Sequence, residues 1–370
     1  MNRFLYLRGL AIVGVVMYHA TGWGFTAMFW WTNQYRPVAV PNFDQLGGIS
    51  YYALRVIEQL VIFVVPAFLF VSGYVSTKSY EKNSAAIQWP RIFTRVRRVL
   101  IPFLIWSVLI LALDILLGSR FSLLQFVITL ITGRTTEAYY FIPVLIQLYL
   151  LIPLLLPLAK THWKQLLVVS ALLMIYTDVL DYVVILNPGL IASNPLLRPI
   201  PGWLFVGHMF WFCLGLVVGF YHARLYAVLV RIKWWLVIML VVTFCLGILE
   251  WEYLLHNSGL DWIGPRMTLI DAVYILLFLM SFLAFEDAAL PLPSQFSELG
   301  ARSYGIYLVH SLVLIVVAKL IYHFVPVILG YQILFQPMLV ISGLAVPVIL
   351  MEFVYKSRLK PYYEYLFGRR

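Results

Sequence analysis

Apolar positions in this chain do not alternate with polar ones. They run unbroken for about 20 residues at a time, the length a helix needs to cross the roughly 30 Å of bilayer hydrocarbon. Short stretches rich in Lys, Arg, Gly and Pro separate the runs. Continuous rather than period-two patterning rules out a β-barrel. Inside hydrocarbon each backbone polar group needs a partner within the protein, so the runs must be helices. About ten spans are predicted, at 5–24, 52–76, 98–118, 139–159, 165–183, 202–222, 233–252, 267–285, 300–321 and 332–354. The stretch 121–132 (FSLLQFVITLIT) is apolar but too short to cross, and reads as a re-entrant or interfacial helix. No internal repeat and no long Ser, Gly or Pro linker interrupts the series, so one domain is expected over 1–370. The predicted fold class is an all-α polytopic membrane protein.

Composition strengthens this reading. Hydrophobic residues make up 63% of the 370 and charged residues 11%, against about a quarter charged in soluble domains. The net charge of +10 would suit a nucleic-acid partner if the cations were clustered, but they fall in alternate loops. One set carries Arg3, then Lys78, Lys82, Arg91, Arg95, Arg97 and Arg98, then Lys160 and Lys164, then Arg224, Arg231 and Lys233. It closes with Arg302, Lys356, Arg358, Lys360, Arg369 and Arg370. The opposite loops hold Arg36, Arg120, Arg134, Arg198 and Arg266. The positive-inside rule then puts both termini in the cytoplasm. The expected partner is the lipid of a cell membrane, bacterial by preference, and not nucleic acid. Cys213 and Cys245 both lie inside apolar runs and read as small buried hydrophobes rather than a disulfide. The first apolar run starts almost at once without an Ala-x-Ala exit, so no cleavable signal is expected.

Ionisable groups at membrane depth are expensive and mark function by default. The first span carries Arg8 and His19, eleven positions apart. At 100° per residue they fall within about 20° on one helix face, separated by roughly 16 Å of rise. Taken singly, Arg8 could snorkel to the cytoplasmic surface and His19 could bond a neighbouring helix; their pairing on one face favours function. Arg55 and Glu58, at i and i+3 in the second span, can neutralise each other. His208 and His310 stand in the sixth and ninth spans without the spacing of a metal site, and none is expected. Lys319 is placed to snorkel.

Arg91, Arg95, Arg97 and Arg98 lead into the third span. They suit anionic lipid headgroups or, as guanidinium forks, the phosphates of a ligand. Ser72 and Gly73 close the second span with small residues that permit close helix packing. Opposite the basic loops lie Asp114, Asp178, Asp181, Glu250, Glu252, Asp261 and Asp271, with Trp23, Trp30, Trp31, Trp203, Trp251 and Trp262. The tryptophans read as an interfacial belt, although rings beside carboxylates are also what a sugar site uses.

Five stretches resemble a known family. Leu7-Arg8-Gly9-Leu10-Ala11-Ile12, with Tyr18-His19-Ala20, is similar to the R-x10-H motif of the acyltransferase-3 family of membrane acyltransferases. Phe70-Val71-Ser72-Gly73-Tyr74 is similar to its F-x-S-G-Y/F close of the second helix, and Arg91 to Pro102 to its R-x-x-R-x-x-x-P loop. The run from Tyr139 and Tyr140 through Gln147 to Pro153 resembles the fourth-helix signature of its Gram-positive branch, which includes intercellular-adhesion O-succinyltransferase-like members. Ser303-Tyr304, Tyr307 and His310 resemble its late S-x-x-I-Y-L-x-H. Many members have H-L-W-F where this chain has Ala138-Tyr139-Tyr140-Phe141, so no histidine role carries over there. No added esterase-like domain is matched.

The resemblance implies transfer of an acyl group, often acetyl or succinyl, from a cytoplasmic acyl-CoA to a hydroxyl of an extracytoplasmic glycan or lipid-linked sugar. His19 would be the catalytic histidine, acting as general base or as acyl carrier, with Arg8 supporting the donor. Arg91, Arg95 and Arg98 are the donor-phosphate candidates, and Ser72, Glu58, Tyr140, Ser303, Tyr307 and His310 the supporting or acceptor-side candidates. The donor is a substrate; no permanently bound cofactor is expected. A polysaccharide exporter would use the same buried polar residues to line a path, but no inverted repeat or paired broken helix supports it. An assembly subunit would leave the motif order unexplained. The orientation predicts that, in a chain cleared of its two cysteines, Arg36→Cys reacts with a membrane-impermeant maleimide on intact cells. Lys164→Cys should react only after permeabilisation, and the reverse pattern overturns the assignment.

Overall fold

The computed structural model describes residues 3–81, 89–116, 118–194, 197–264 and 267–368. Lys82, Arg266, Arg369 and Arg370, four of the cations used to orient the chain, lie outside them. The apolar runs form helices: α1 Arg3–Phe29, α2 Ile49–Val61, α3 Val64–Glu81, α4 Trp89–Leu116, α5 Leu123–Thr132, α6 Phe141–Thr161 and α7 Trp163–Leu186. There follow α8 Pro188–Ser193, α9 Met209–Arg231, α10 Lys233–Ser258, α11 Leu269–Ala284, α12 Pro293–Phe324, α13 Gln332–Lys356 and α14 Tyr363–Phe367. Among the described residues there is no β-strand.

Nine helical segments among the described residues are long and apolar enough to cross a membrane, so the chain is a polytopic helical membrane protein. The eighth expected span, 267–285, is the 16-residue α11. At 1.5 Å per residue it reaches about 24 Å, less than the hydrocarbon thickness. Its start is set by a capping box: the Thr268 hydroxyl accepts from the Asp271 N–H, and the Asp271 carboxylate accepts from the Thr268 N–H. The second span is two helices, broken at Ile62 and Phe63. Pro66 explains the break, because it removes the N–H that would bond the Ile62 carbonyl and its ring crowds that same group. The stretch 121–132 forms the ten-residue α5, capped by Ser122 and Gln125 and ended by Gly133 at φ 67°. It is too short to span.

The chain divides into two compact units. The first comprises Met1–Val64, Arg97–Tyr139 and Leu292–Arg370, and the second Val65–Val96 and Tyr140–Pro291. The first is organised on α1 and α12, which meet backbone to backbone. A Cβ on Gly9 would stand 1.8 Å from the Phe296 carbonyl oxygen, and one on Gly300 would stand 1.9 Å from that of Leu5. In hydrocarbon no water drives helices together, so close packing of this kind supplies the attraction. The second unit has its own reciprocal contact between α3 and α9. A Cβ on Gly73 would lie 2.2 Å from the Phe212 carbonyl oxygen, and one on Gly215 would lie 2.0 Å from that of Phe70. Cys213 is buried in α9 as expected, but Cys245 is exposed on α10. The expectation of burial fails because α10 turns much of its length outward, with Trp235, Val241 and Leu249 also exposed, as suits a helix whose solvent is lipid.

Gly300→Ala should lower the thermal stability of the purified chain by about 1–3 kcal/mol through overpacking. Gly22→Ala, where a Cβ meets nothing within 4 Å, should not. Equal melting of Gly300→Ala and the parent protein refutes the backbone contact.

Candidate functional site

The same α1–α12 contact carries the polar residues picked out in the sequence. Both helices run in the same direction, as two cross-links along them show. Near their starts, Arg8 Nη2 donates to Ser303 Oγ at 2.9 Å. Farther along, the rings of His19 and His310 meet with centroids 5.3 Å apart, tilted by 45°. Arg8 and His19 share a face of α1; Ser303 and His310, seven residues apart, share one on α12. Four residues distant in sequence thus form one line on two packed helices.

The two histidines differ in their surroundings. The His19 ring is half-buried and makes no hydrogen bond among the described residues; the edge of its neighbour Tyr18 approaches at 5.7 Å. His310 is wholly buried. Its Nδ1 lies 2.7 Å from the Tyr307 carbonyl oxygen and its Nε2 lies 3.3 Å from Ser311 Oγ. A carbonyl only accepts, so Nδ1 carries the proton and the neutral ring keeps its lone pair on Nε2.

Tyr307, expected as a supporting residue, holds the frame. Its hydroxyl donates to the Ala138 carbonyl, and the hydroxyl of Tyr139 donates to the Leu308 carbonyl. The two phenol rings stack 6.1 Å apart at 27°, and Tyr307 meets His310 at 5.8 Å. A reciprocal pair of this kind satisfies two phenols where water cannot. In the sequence Tyr139 stands only as part of a helix signature; nothing in an apolar run marks which tyrosine will find a carbonyl.

Glu58 forms a buried ion pair with Arg55. Its Oε1 lies 3.2 Å from the Thr21 hydroxyl, which is also 2.7 Å from the Tyr18 carbonyl. The pair thereby ties α2 to α1 two residues past His19. Thr21 was not anticipated, because a lone threonine in an apolar helix carries no spacing signal.

The remaining expected residues divide between the units. Arg98, in the first, is exposed. In the second, Arg91 is exposed, while Arg95 donates to Ser76 Oγ at 2.9 Å and lies 5.9 Å over the Tyr149 ring. Ser72 contributes its carbonyl, which accepts from Ser76 Oγ at 2.7 Å. Tyr140 stands beside His208 at 5.9 Å between centroids. Four of the seven carboxylates expected on one side gather here: Asp178 lies within electrostatic reach of Asp181, Asp271 and Glu250. Tyr182 donates to Glu250, and Trp251 and Trp262 meet edge-on at 5.8 Å.

A protein-family model described as an acyltransferase domain matches residues 2–352, nearly the whole chain. The chain belongs to the acyltransferase-3 family. It is therefore a membrane acyltransferase, and the match takes in Arg8, His19, Ser303 and His310 alike. No curated protein matches the chain, and no solved structure does.

As a member of this family the chain still has to hold its polar residues in place, and the Arg55–Glu58 pair is the most exacting case. Removing one partner strands a buried charge, so Glu58→Ala should destabilise by about 3–5 kcal/mol. The double change Arg55→Met with Glu58→Met should recover most of the loss. Thermal unfolding in detergent measures both, and additive losses would show that the ion pair is not the source.

Proposed function

We propose that the protein moves an acyl group, acetyl or succinyl, from cytoplasmic acyl-CoA to a hydroxyl of an extracytoplasmic glycan or lipid-linked sugar. Surface and cell-wall polysaccharides of the kind modified by the Gram-positive branch are the acceptors this reading favours. The observation that carries it is the His19 ring, which has no hydrogen bond among the described residues and stands on the helix face that also holds Arg8 on Ser303.

The chemistry follows from the partition of charge. The phosphates of acyl-CoA cannot enter hydrocarbon cheaply, so they stay at the basic face. With both termini cytoplasmic, that face carries Arg8 and the arginines of α4, of which Arg91, Arg95 and Arg98 offer guanidinium forks to phosphate oxygens. Arg8, fixed by Ser303, is the cation on the α1 face that also carries His19. The pantetheine arm extends along α1, and its thioester reaches His19.

There the imidazole, as general base, takes the proton of the acceptor hydroxyl as the oxygen attacks the thioester carbonyl. The C–O bond forms, the C–S bond breaks, and the proton passes from His19 to the departing thiolate. Glu58, Ser303 and Tyr307 support the helices that hold this ring, and Ser72 and Tyr140 contribute to the second unit.

His19→Ala should lower acylation by about 10²–10⁴-fold, the contribution typical of a positioned base. Arg8→Ala should abolish transfer through loss of the donor. Arg8→Lys should fall between, since it keeps the charge without the fork. Mass spectrometry of the surface polysaccharide, with protein amount in the membrane matched, reads all three. Unchanged acylation in the His19 variant sinks the proposal.

A further inference from the structure

We infer that His310 is a positioning residue for His19: its Nε2 accepts a hydrogen bond from the His19 ring and stabilises that ring when it carries the acceptor's proton. This rests on the function proposed above and adds a residue to it.

Three observations lead there. First, the His310 tautomer is set from one side. Nδ1–H is held by the Tyr307 carbonyl at 2.7 Å, so only Nε2 can accept. Second, that arrangement is braced. The Tyr307 hydroxyl donates to the Ala138 carbonyl and the Tyr139 hydroxyl to the Leu308 carbonyl, so the segment before α6 is tied to α12 at two residues within a turn of His310. A ring that merely filled space would need no such support. Third, the partner is in reach. With centroids 5.3 Å apart, a nitrogen of one imidazole can approach a nitrogen of the other to hydrogen-bond length, about 3 Å. The His19 ring is free to turn, having no other bond among the described residues.

The resting occupant of Nε2 is the Ser311 hydroxyl at 3.3 Å, beyond the ordinary range for an oxygen donor. It is readily displaced.

The proton count closes. When His19 takes the acceptor's proton on one nitrogen, its other N–H points to His310 Nε2. When His19 returns that proton to the thiolate, the bond weakens again. His310 never changes its own protonation. It orients the ring and offsets the developing charge, the part a carboxylate plays for the histidine of a hydrolase triad. Between helices in lipid, a neutral acceptor does this without adding a second buried charge.

The test separates an acceptor at the ε position from simple packing. His310→Asn keeps a donor at the δ position for the Tyr307 carbonyl but has no acceptor at ε. His310→Gln places an amide oxygen at ε. The full-length chain in detergent is treated with diethyl pyrocarbonate, and the rate of carbethoxylation at His19 is followed by peptide mass spectrometry. Transfer of labelled acetyl from acetyl-CoA to surface polysaccharide is followed in membranes.

His310→Asn and His310→Ala should each lose about 10–100-fold in kcat, as loss of the group that orients a functional histidine does, with the KM for acetyl-CoA unchanged. His19 should be correspondingly less reactive, and Gln should restore both towards the parent values. Equal behaviour of Asn and Gln, or a parent-like rate in the Ala variant, overturns the inference. His19→Ala tells the two readings apart. If that variant still transfers acetyl, the proposed function fails; if it does not while the His310 series stays flat, only the role of His310 fails.

Discussion

The first unit of this protein depends on one contact, the backbone-to-backbone approach of α1 and α12 at Gly9 and Gly300. Hydrocarbon gives helices no hydrophobic reason to associate, because lipid tails solvate leucine as well as another leucine does. What holds them is close packing and hydrogen bonding, and both need short distances. A single Cβ at either glycine would fall under 2 Å from a carbonyl oxygen. With the axes that close, Arg8 reaches Ser303 and the His19 and His310 rings meet with centroids 5.3 Å apart. With the axes farther apart, an arginine, a serine and two histidines would each need another partner in a medium without water.

That constraint also explains the pattern of polar residues around the site. Each is matched within the protein in a manner that suits its charge. Arg55 and Glu58 neutralise each other, and Thr21 shares the carboxylate. Tyr139 and Tyr307 exchange bonds with each other's backbone segments. His310 is fixed at one nitrogen by a carbonyl. Against this background the unbonded His19 ring stands out. Stability would favour satisfying it, and departures from local rules of this kind are where function is to be sought.

Much of this was legible in the sequence, and particular residues show why. The length of the apolar runs predicted the helices, since hydrocarbon thickness is a fixed ruler. Helical periodicity put Arg8 and His19 on one face. The expected second span is present but built of two helices, and Pro66 marks the carbonyl at which they break. The span expected at 267–285 is the 16-residue α11, whose start is set by the Thr268–Asp271 cap. The exposure of Cys245 was missed because hydropathy does not distinguish a helix face turned to protein from one turned to lipid.

By itself, then, the sequence determined the class of the protein, the course of its helices and the residue types on α1, because these follow from local composition and from the bilayer's dimensions. Motif order named the family. Only the tertiary structure decided that Ser303 is the partner of Arg8, that His310 faces His19, and that Tyr139 locks Tyr307 in place. These pairs lie nearly 300 residues apart for the first two and 168 for the third. Helical period says which way a side chain points from its own axis and nothing about which distant helix stands there. That choice is made by packing, at the two glycines where the axes can meet.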